Sequence, residues 1–210
     1  MHIYAFGSLC RGEVDIGSDV DLLLLSNDGT SPRVNMQQFS VYTYERMLEL
    51  WNGGNPFAWH LATEARLIYS GDRSDYIGDL KDPAPYVDYP VDCRKFLALF
   101  EEAYQSVSNT RSTIVFDLGT IFLSIRNLAT CYALGVLRWP IFSRDAALRI
   151  GGKSVPIDVE AYAVLERARL LSTRGQGDTL SEQDLEVALR GISPIQQWMK
   201  ELAMEAEQYV

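Results

Sequence analysis

Apolar residues gather in four short stretches in the first third of the chain and then recur every three to four residues through most of the remainder. Ile3-Tyr4-Ala5-Phe6 and Leu22-Leu23-Leu24-Leu25 are brief apolar runs bounded by glycine, serine and aspartate, which predicts buried strands. Residues 26–32 are dense in turn formers and predict a loop. Residues 39–44 alternate and are rich in β-branched and aromatic side chains, which predicts a third strand. Residues 65–69 predict a fourth, closed by Ser70-Gly71-Asp72. Between the third and fourth, the spacing predicts a short amphipathic helix over 45–51, stopped by Gly53-Gly54, and another over 56–64.

From residue 93 onward every predicted element is a helix: 93–107, then 113–137, the most apolar, broken by Trp139-Pro140. A short helix over 143–150 ends at Gly151-Gly152, and another over 156–172 has Pro156 near its first turn. A last helix starts from the cap-like Ser181-Glu182-Gln183-Asp184, with a break expected near Gly191 and Pro194. Residues 79–90 carry Pro83, Pro85 and Pro90 among aspartates and read as a linker. Strands followed by a run of helices indicate an α+β chain, with a small mixed β-sheet in residues 1–82 and an α-helical bundle in residues 83–210. The apolar stretch 114–137 contains Asp117 and Arg126, so it reads as a buried helix and no membrane span is expected.

Composition narrows the partners. With 47% hydrophobic and 22% charged residues over 210, the chain can bury a core, and its net charge of −9 argues against broad nucleic-acid binding. Small molecules or proteins are the better partners. Cys10, Cys93 and Cys131 form no C-x-x-C pair, and with only two histidines a structural zinc site is not expected. Reduced thiols suit a cytoplasmic location, and strand-like residues directly after Met1 read against a signal peptide.

The densest chemistry lies in Asp19-Val20-Asp21, at the entrance to the second apolar run. Side chains two apart on a strand share a face, so both carboxylates project into one volume. Their repulsion is relieved by a divalent cation of the magnesium type, which takes carboxylate oxygens together with substrate phosphates. Gly7-Ser8 closes the first run; glycine permits a sharp turn close to a ligand, and the serine hydroxyl suits a phosphate oxygen. The parts fit a nucleoside triphosphate with its metal.

Gly7-Ser8-Leu9-Cys10-Arg11-Gly12-Glu13, followed by Ser18-Asp19-Val20-Asp21-Leu22, resembles the signature of the DNA polymerase β-type nucleotidyltransferase superfamily, nearest to its minimal nucleotidyltransferases. The resemblance covers about residues 3–25. It implies a small mixed sheet carrying the nucleotide site and a helical companion domain. It further implies that Gly7, Ser8, Arg11 and Ser18 belong to the nucleotide-binding set, and that Asp19 and Asp21 are catalytic and hold Mg2+ or Mn2+ with the triphosphate substrate. Arg11 either supports the phosphates or pairs with Glu13 or Asp15.

The chain departs from the family pattern at a third carboxylate, usual on a later strand: residues 39–44 contain none, while Glu45, Glu64 and Asp72 lie only near strand ends. His60 and Glu64, four apart, share a helix face, either as a base in a cleft or as a packed surface pair. Thr113, Asp117, Thr120, Ser124, Asn127 and Cys131 form one polar or small stripe. In it, Asp117 and Asn127 either line an acceptor cleft or belong to a helix–helix seam. Arg126 followed five residues later by Cys131 lacks the histidine of an Arg-x-x-x-x-His ribonuclease motif.

Two functions follow. The first is a magnesium-dependent transferase moving a nucleoside monophosphate to an acceptor hydroxyl of a small molecule or protein. The second is a catalytically weak or inactive relative that senses nucleotide or neutralises a partner, as an antitoxin does. The oligomeric state stays open.

Overall fold

A computed structural model describes residues 1–14, 20–27 and 35–209. It divides into two compact units, Met1–Tyr86 and Val87–Val210. The chain is α+β, a small mixed four-stranded sheet followed by helices.

In the first unit, β1 (His2–Phe6) is central and runs antiparallel to both β2 (Asp21–Ser26) and β4 (Arg66–Ser70). β3 (Ser40–Thr43) lies parallel to β2 on the far side, giving the order β3-β2-β1-β4. Alternation places Tyr4 and Phe6, and likewise Leu23 and Leu25, on one face. These four pack with Met47, Trp51, Ala58 and Leu61 of the covering helices, and with Ile77, in one apolar core. The helices are α2 (Tyr44–Asn52) and α3 (Pro56–Glu64). Thr43 ends β3 and caps α2, its hydroxyl accepting from Arg46 N at 3.1 Å. Asn55 does the same for α3, accepting from Phe57 N at 2.9 Å, with Pro56 in the first turn.

The predicted linker has no regular structure over 81–88, yet its first part is tied down. Trp51 Nε1 donates to Lys81 O at 2.6 Å, Trp59 Nε1 to Ala84 O at 3.0 Å, and Ala84 N to Trp51 O at 3.0 Å. Gly54, at φ +63°, lies beneath the carbonyls of Ala84 and Pro85, where any Cβ would collide.

The second unit is helical. α4 (Tyr89–Asn109) packs on α5 (Ile114–Gly135), which also packs on α6 (Val159–Arg174). α7 (Glu182–Ile192) packs on α6, and α8 (Ile195–Gln208) on α4 and α5. α5 is long and apolar enough to cross a membrane, but 67% of its most apolar window is buried inside the protein. Small residues let its neighbours approach: a Cβ on Gly135 would collide with the Tyr89 ring, and one on Gly119 would meet Arg169 Cα of α6 at 3.1 Å.

Two sequence expectations need correction. Residues 143–150 are not a helix; two short 3-10 turns, Ala146–Leu148 and Gly151–Lys153, take their place. Ser143 Oγ bonds the Asp145 carboxylate at 2.5 Å, so side chains close the first bend locally, and Gly151 turns at φ +65°. The helix expected over 156–172 begins only at Val159, because Asp158 is still extended and acts as its N-terminal boundary. The break expected near Gly191 and Pro194 is present: the last helical stretch is two helices, parted at Ser193-Pro194, where proline supplies no amide to the ladder.

Candidate functional site

The site grows from the end of the central strand. β1 and β2 are paired through Phe6↔Asp21, so the residue after Phe6 and the first residue of β2 meet at one sheet end. Gly7 turns there at φ +74°, a conformation that side chains resist. A Cβ added to Gly7 would run into Oδ2 of Asp21. Glycine is therefore required twice, for the turn and for the carboxylate seated against it.

Ser8, buried, opens α1 (Ser8–Arg11), a single helical turn. Gly7 O accepts from Cys10 N at 3.0 Å and from Arg11 N at 3.3 Å, and Ser8 O accepts from Glu13 N at 3.0 Å. Gly12 ends the turn in the left-handed conformation, φ +72°. Burial pushes the Cys10 thiol above its ordinary range, so it is not an activated nucleophile.

Asp21 also borders an open cavity of about 590 Å3 lined by Gln37, Gln38 and Ser40 among others. Ser40 is paired with Leu23 across the parallel strands, and Asp21 stands two residues before Leu23, so all three side chains share a face. Among the described residues, neither β3 nor the 3-10 turn Met36–Gln38 before it offers a carboxylate. The departure noted in the sequence thus holds at the strand beside Asp21. Ser18 and Asp19 lie outside the described residues. Among the described ones there is no cluster of three His, Cys, Asp or Glu side chains suited to a metal. The Asp21 carboxylate is an oxygen donor of the hard type that suits Mg2+ or Mn2+, seated where a Cβ on Gly7 would fall.

Arg11, His60 and Glu64 come together next to this turn. Arg11 Nε donates to Glu13 Oε2 at 2.7 Å, and its NH1 to Glu64 Oε2 at 2.5 Å. His60 Nε2 donates to the same Glu64 oxygen at 2.8 Å, and its ring meets Phe6 edge-on at 5.5 Å. Arg11 therefore pairs with Glu13, one of its two expected partners, and with Glu64, which sequence spacing did not point to. Glu64 is buried, only 7% exposed. Burial alone would raise its pKa, but the His60 and Arg11 contacts outweigh it and hold the carboxyl below its usual range. Arg11 is likewise half-buried, and its two carboxylate partners overcome desolvation to hold its pKa above the ordinary value.

Asp117 and Asn127 lie in the helical unit. Asp117 is buried and accepts from Ser106 Oγ of α4 and Thr113 Oγ1, both at 2.8 Å. Thr120 and Ser124 donate back to carbonyls one turn earlier, Phe116 O at 3.0 Å and Thr120 O at 2.9 Å. Asn127 Oδ1 accepts from Arg126 NH1 at 3.1 Å, while NH2 of that arginine holds Phe142 O at 2.5 Å. These bonds are internal to the bundle, the behaviour of a helix–helix seam.

A family model described as a nucleotidyltransferase domain matches residues 2–82. No curated protein and no solved structure matches the chain.

Proposed function

We propose that residues 2–82, which match a family model described as a nucleotidyltransferase domain, work as one of the polymerase β type, and that the protein moves a nucleoside monophosphate from a nucleoside triphosphate to an acceptor hydroxyl, releasing pyrophosphate. The observation that carries this reading is the contact between the Gly7 turn and the Asp21 carboxylate. It brings a phosphate-accepting backbone turn and a cation-binding oxygen to one end of the sheet.

In this reading Ser8 donates its hydroxyl to a phosphate oxygen, and the amides after Gly7 orient the triphosphate. Ser18 joins the nucleotide-binding set, and Asp19 and Asp21 would hold Mg2+ or Mn2+, which would supply neutralising charge to the phosphates. The acceptor oxygen bonds to the α-phosphorus as the bond to pyrophosphate breaks, and the hydroxyl proton passes to solvent. The acceptor is a small molecule or a protein, since a net charge of −9 repels polyanions. Asp117 and Asn127 have no role in it, because their bonds serve the bundle.

The lack of a carboxylate in β3 and in the 3-10 turn before it motivates a second reading: a domain that binds nucleotide and turns it over weakly or not at all, acting as a sensor or an antitoxin-like partner. One experiment separates the two. Calorimetric titration of ATP, GTP, CTP and UTP with magnesium, on wild type and Asp21→Ala, is paired with pyrophosphate release over an acceptor screen. Binding lost in the variant, with pyrophosphate released by wild type, supports transfer. Binding without release supports the sensor, and no binding of any triphosphate removes both.

A further inference from the structure

The helical turn that follows Gly7 has little to hold it. Four residues are far too few for a helix to persist by itself, since nucleation is unfavourable and only later bonds repay it. Its apolar contribution is small: Leu9 is 42% exposed. Its last residue, Arg11, is nevertheless fixed at both ends. The Arg11 amide donates to Gly7 O at 3.3 Å, and its guanidinium reaches Glu64, 53 positions along the chain. Glu64 closes α3, which is rooted in the core by Ala58 and Leu61, both fully buried. His60, one turn earlier on α3, donates to the oxygen that takes Arg11, so the carboxylate is oriented before Arg11 arrives.

Its charge is already matched by Arg11, so this carboxylate acts as a holder, neither a metal ligand nor a general base. We propose that Glu64 is a positioning residue for the triphosphate turn: through Arg11 it fixes Ser8–Arg11, and with it the Ser8 hydroxyl, in the place where phosphates bind. This rests on the nucleotidyltransferase reading above. It gives Arg11 a role besides phosphate contact, with its Nε and NH1 holding Glu13 and Glu64.

The test uses the full chain and magnesium tripolyphosphate, which probes the phosphate turn whatever the base. Affinity is measured by calorimetry, below the thermal transition, for wild type, Glu64→Gln, Glu64→Asp and Arg11→Gln. Glu64→Gln and Arg11→Gln are expected to weaken binding by about tenfold or more, as a displaced binding group does. Glu64→Asp, which keeps the charge, is expected to recover part of that loss. Arg11 retains solvent access, so Arg11→Gln reports on the pair even where Glu64→Gln does not fold. A lower melting temperature with affinity within about twofold of wild type in both glutamine variants would mean that the pair only stabilises the fold, and the proposal falls while the transferase reading stands. Failure of wild type to bind tripolyphosphate and every nucleoside triphosphate overturns both.

Discussion

The Asp21 carboxylate is packed against the backbone of Gly7 so closely that the smallest side chain at position 7 would collide with it. Strand pairing explains the closeness: Phe6 and Asp21 are cross-strand partners, and the turn begins one residue later. Gly7→Ala therefore meets two penalties, a positive-φ extended backbone (φ +74°, ψ −150°) costing roughly 1–3 kcal/mol and a steric conflict that displaces Asp21. The variant is expected to lose measurable nucleotide affinity in calorimetry while its circular dichroism stays that of a folded protein. Wild-type affinity in Gly7→Ala would separate the turn from the nucleotide.

Acid should loosen the Glu64 network. Its folded-state pKa is depressed, with burial opposing and His60 and Arg11 prevailing, so its contribution to stability is complete above the unfolded carboxylate value of about 4.3. That contribution is lost as pH falls through the folded pKa. The stability of wild type in urea unfolding between neutrality and that acid range should therefore fall more steeply with pH than that of Glu64→Gln, which keeps only the slope of the other depressed carboxylates such as Asp184 and Glu205. At neutral pH Glu64→Gln should be less stable by about 2–3 kcal/mol, below the ~3–5 kcal/mol of a fully buried broken pair because Arg11 keeps some solvent.

Ser40 offers a gain-of-function test. It stands on the strand beside Asp21 and on the same face. Ser40→Asp should tighten Mn2+ binding several-fold and lower metal-free stability by about 1 kcal/mol through carboxylate repulsion. Calorimetric Mn2+ titration with a paired melt reads both, and unchanged metal affinity would place the missing ligand elsewhere.

Asp117 predicts a stability effect confined to the bundle. Asp117→Ala removes the acceptor for Ser106 and Thr113 and opens a small void beside α4, which should cost about 2–3 kcal/mol in urea unfolding. Nucleotide affinity should stay at the wild-type value; a selective loss of affinity without loss of stability would return Asp117 to the acceptor site.

The sequence showed most where the deciding signal was local. Four strands and two covering helices were legible because their periods and boundary residues, Thr43, Asn55 and Pro56 among them, lie within a few positions of one another. The Gly7 turn was legible for the same reason. The Arg11–Glu64 pair was not, since 53 residues separate its members and no spacing rule links them. His60 and Glu64 were recognised as neighbours, but their common purpose needed Arg11 in place. The stripe through Asp117 and Asn127 carried two readings because a cleft and a seam have the same helical period; the bonds from Ser106 on α4 and from Thr113 to Asp117 favour the seam at that residue. The helix expected over 143–150 failed because Ser143 and Asp145 satisfy each other instead of continuing a ladder.

The tie between the tryptophans and the strap has a consequence for where this domain ends. The family match stops at residue 82, yet Trp59 and Gly54 find their partners at Ala84 and Pro85, and the compact unit runs to Tyr86. The compact unit thus runs four residues past the family match. A segment cut at 82 for transplantation would keep the Gly7 turn but leave the Trp59 indole without its acceptor. The last four residues belong to the domain as part of its architecture.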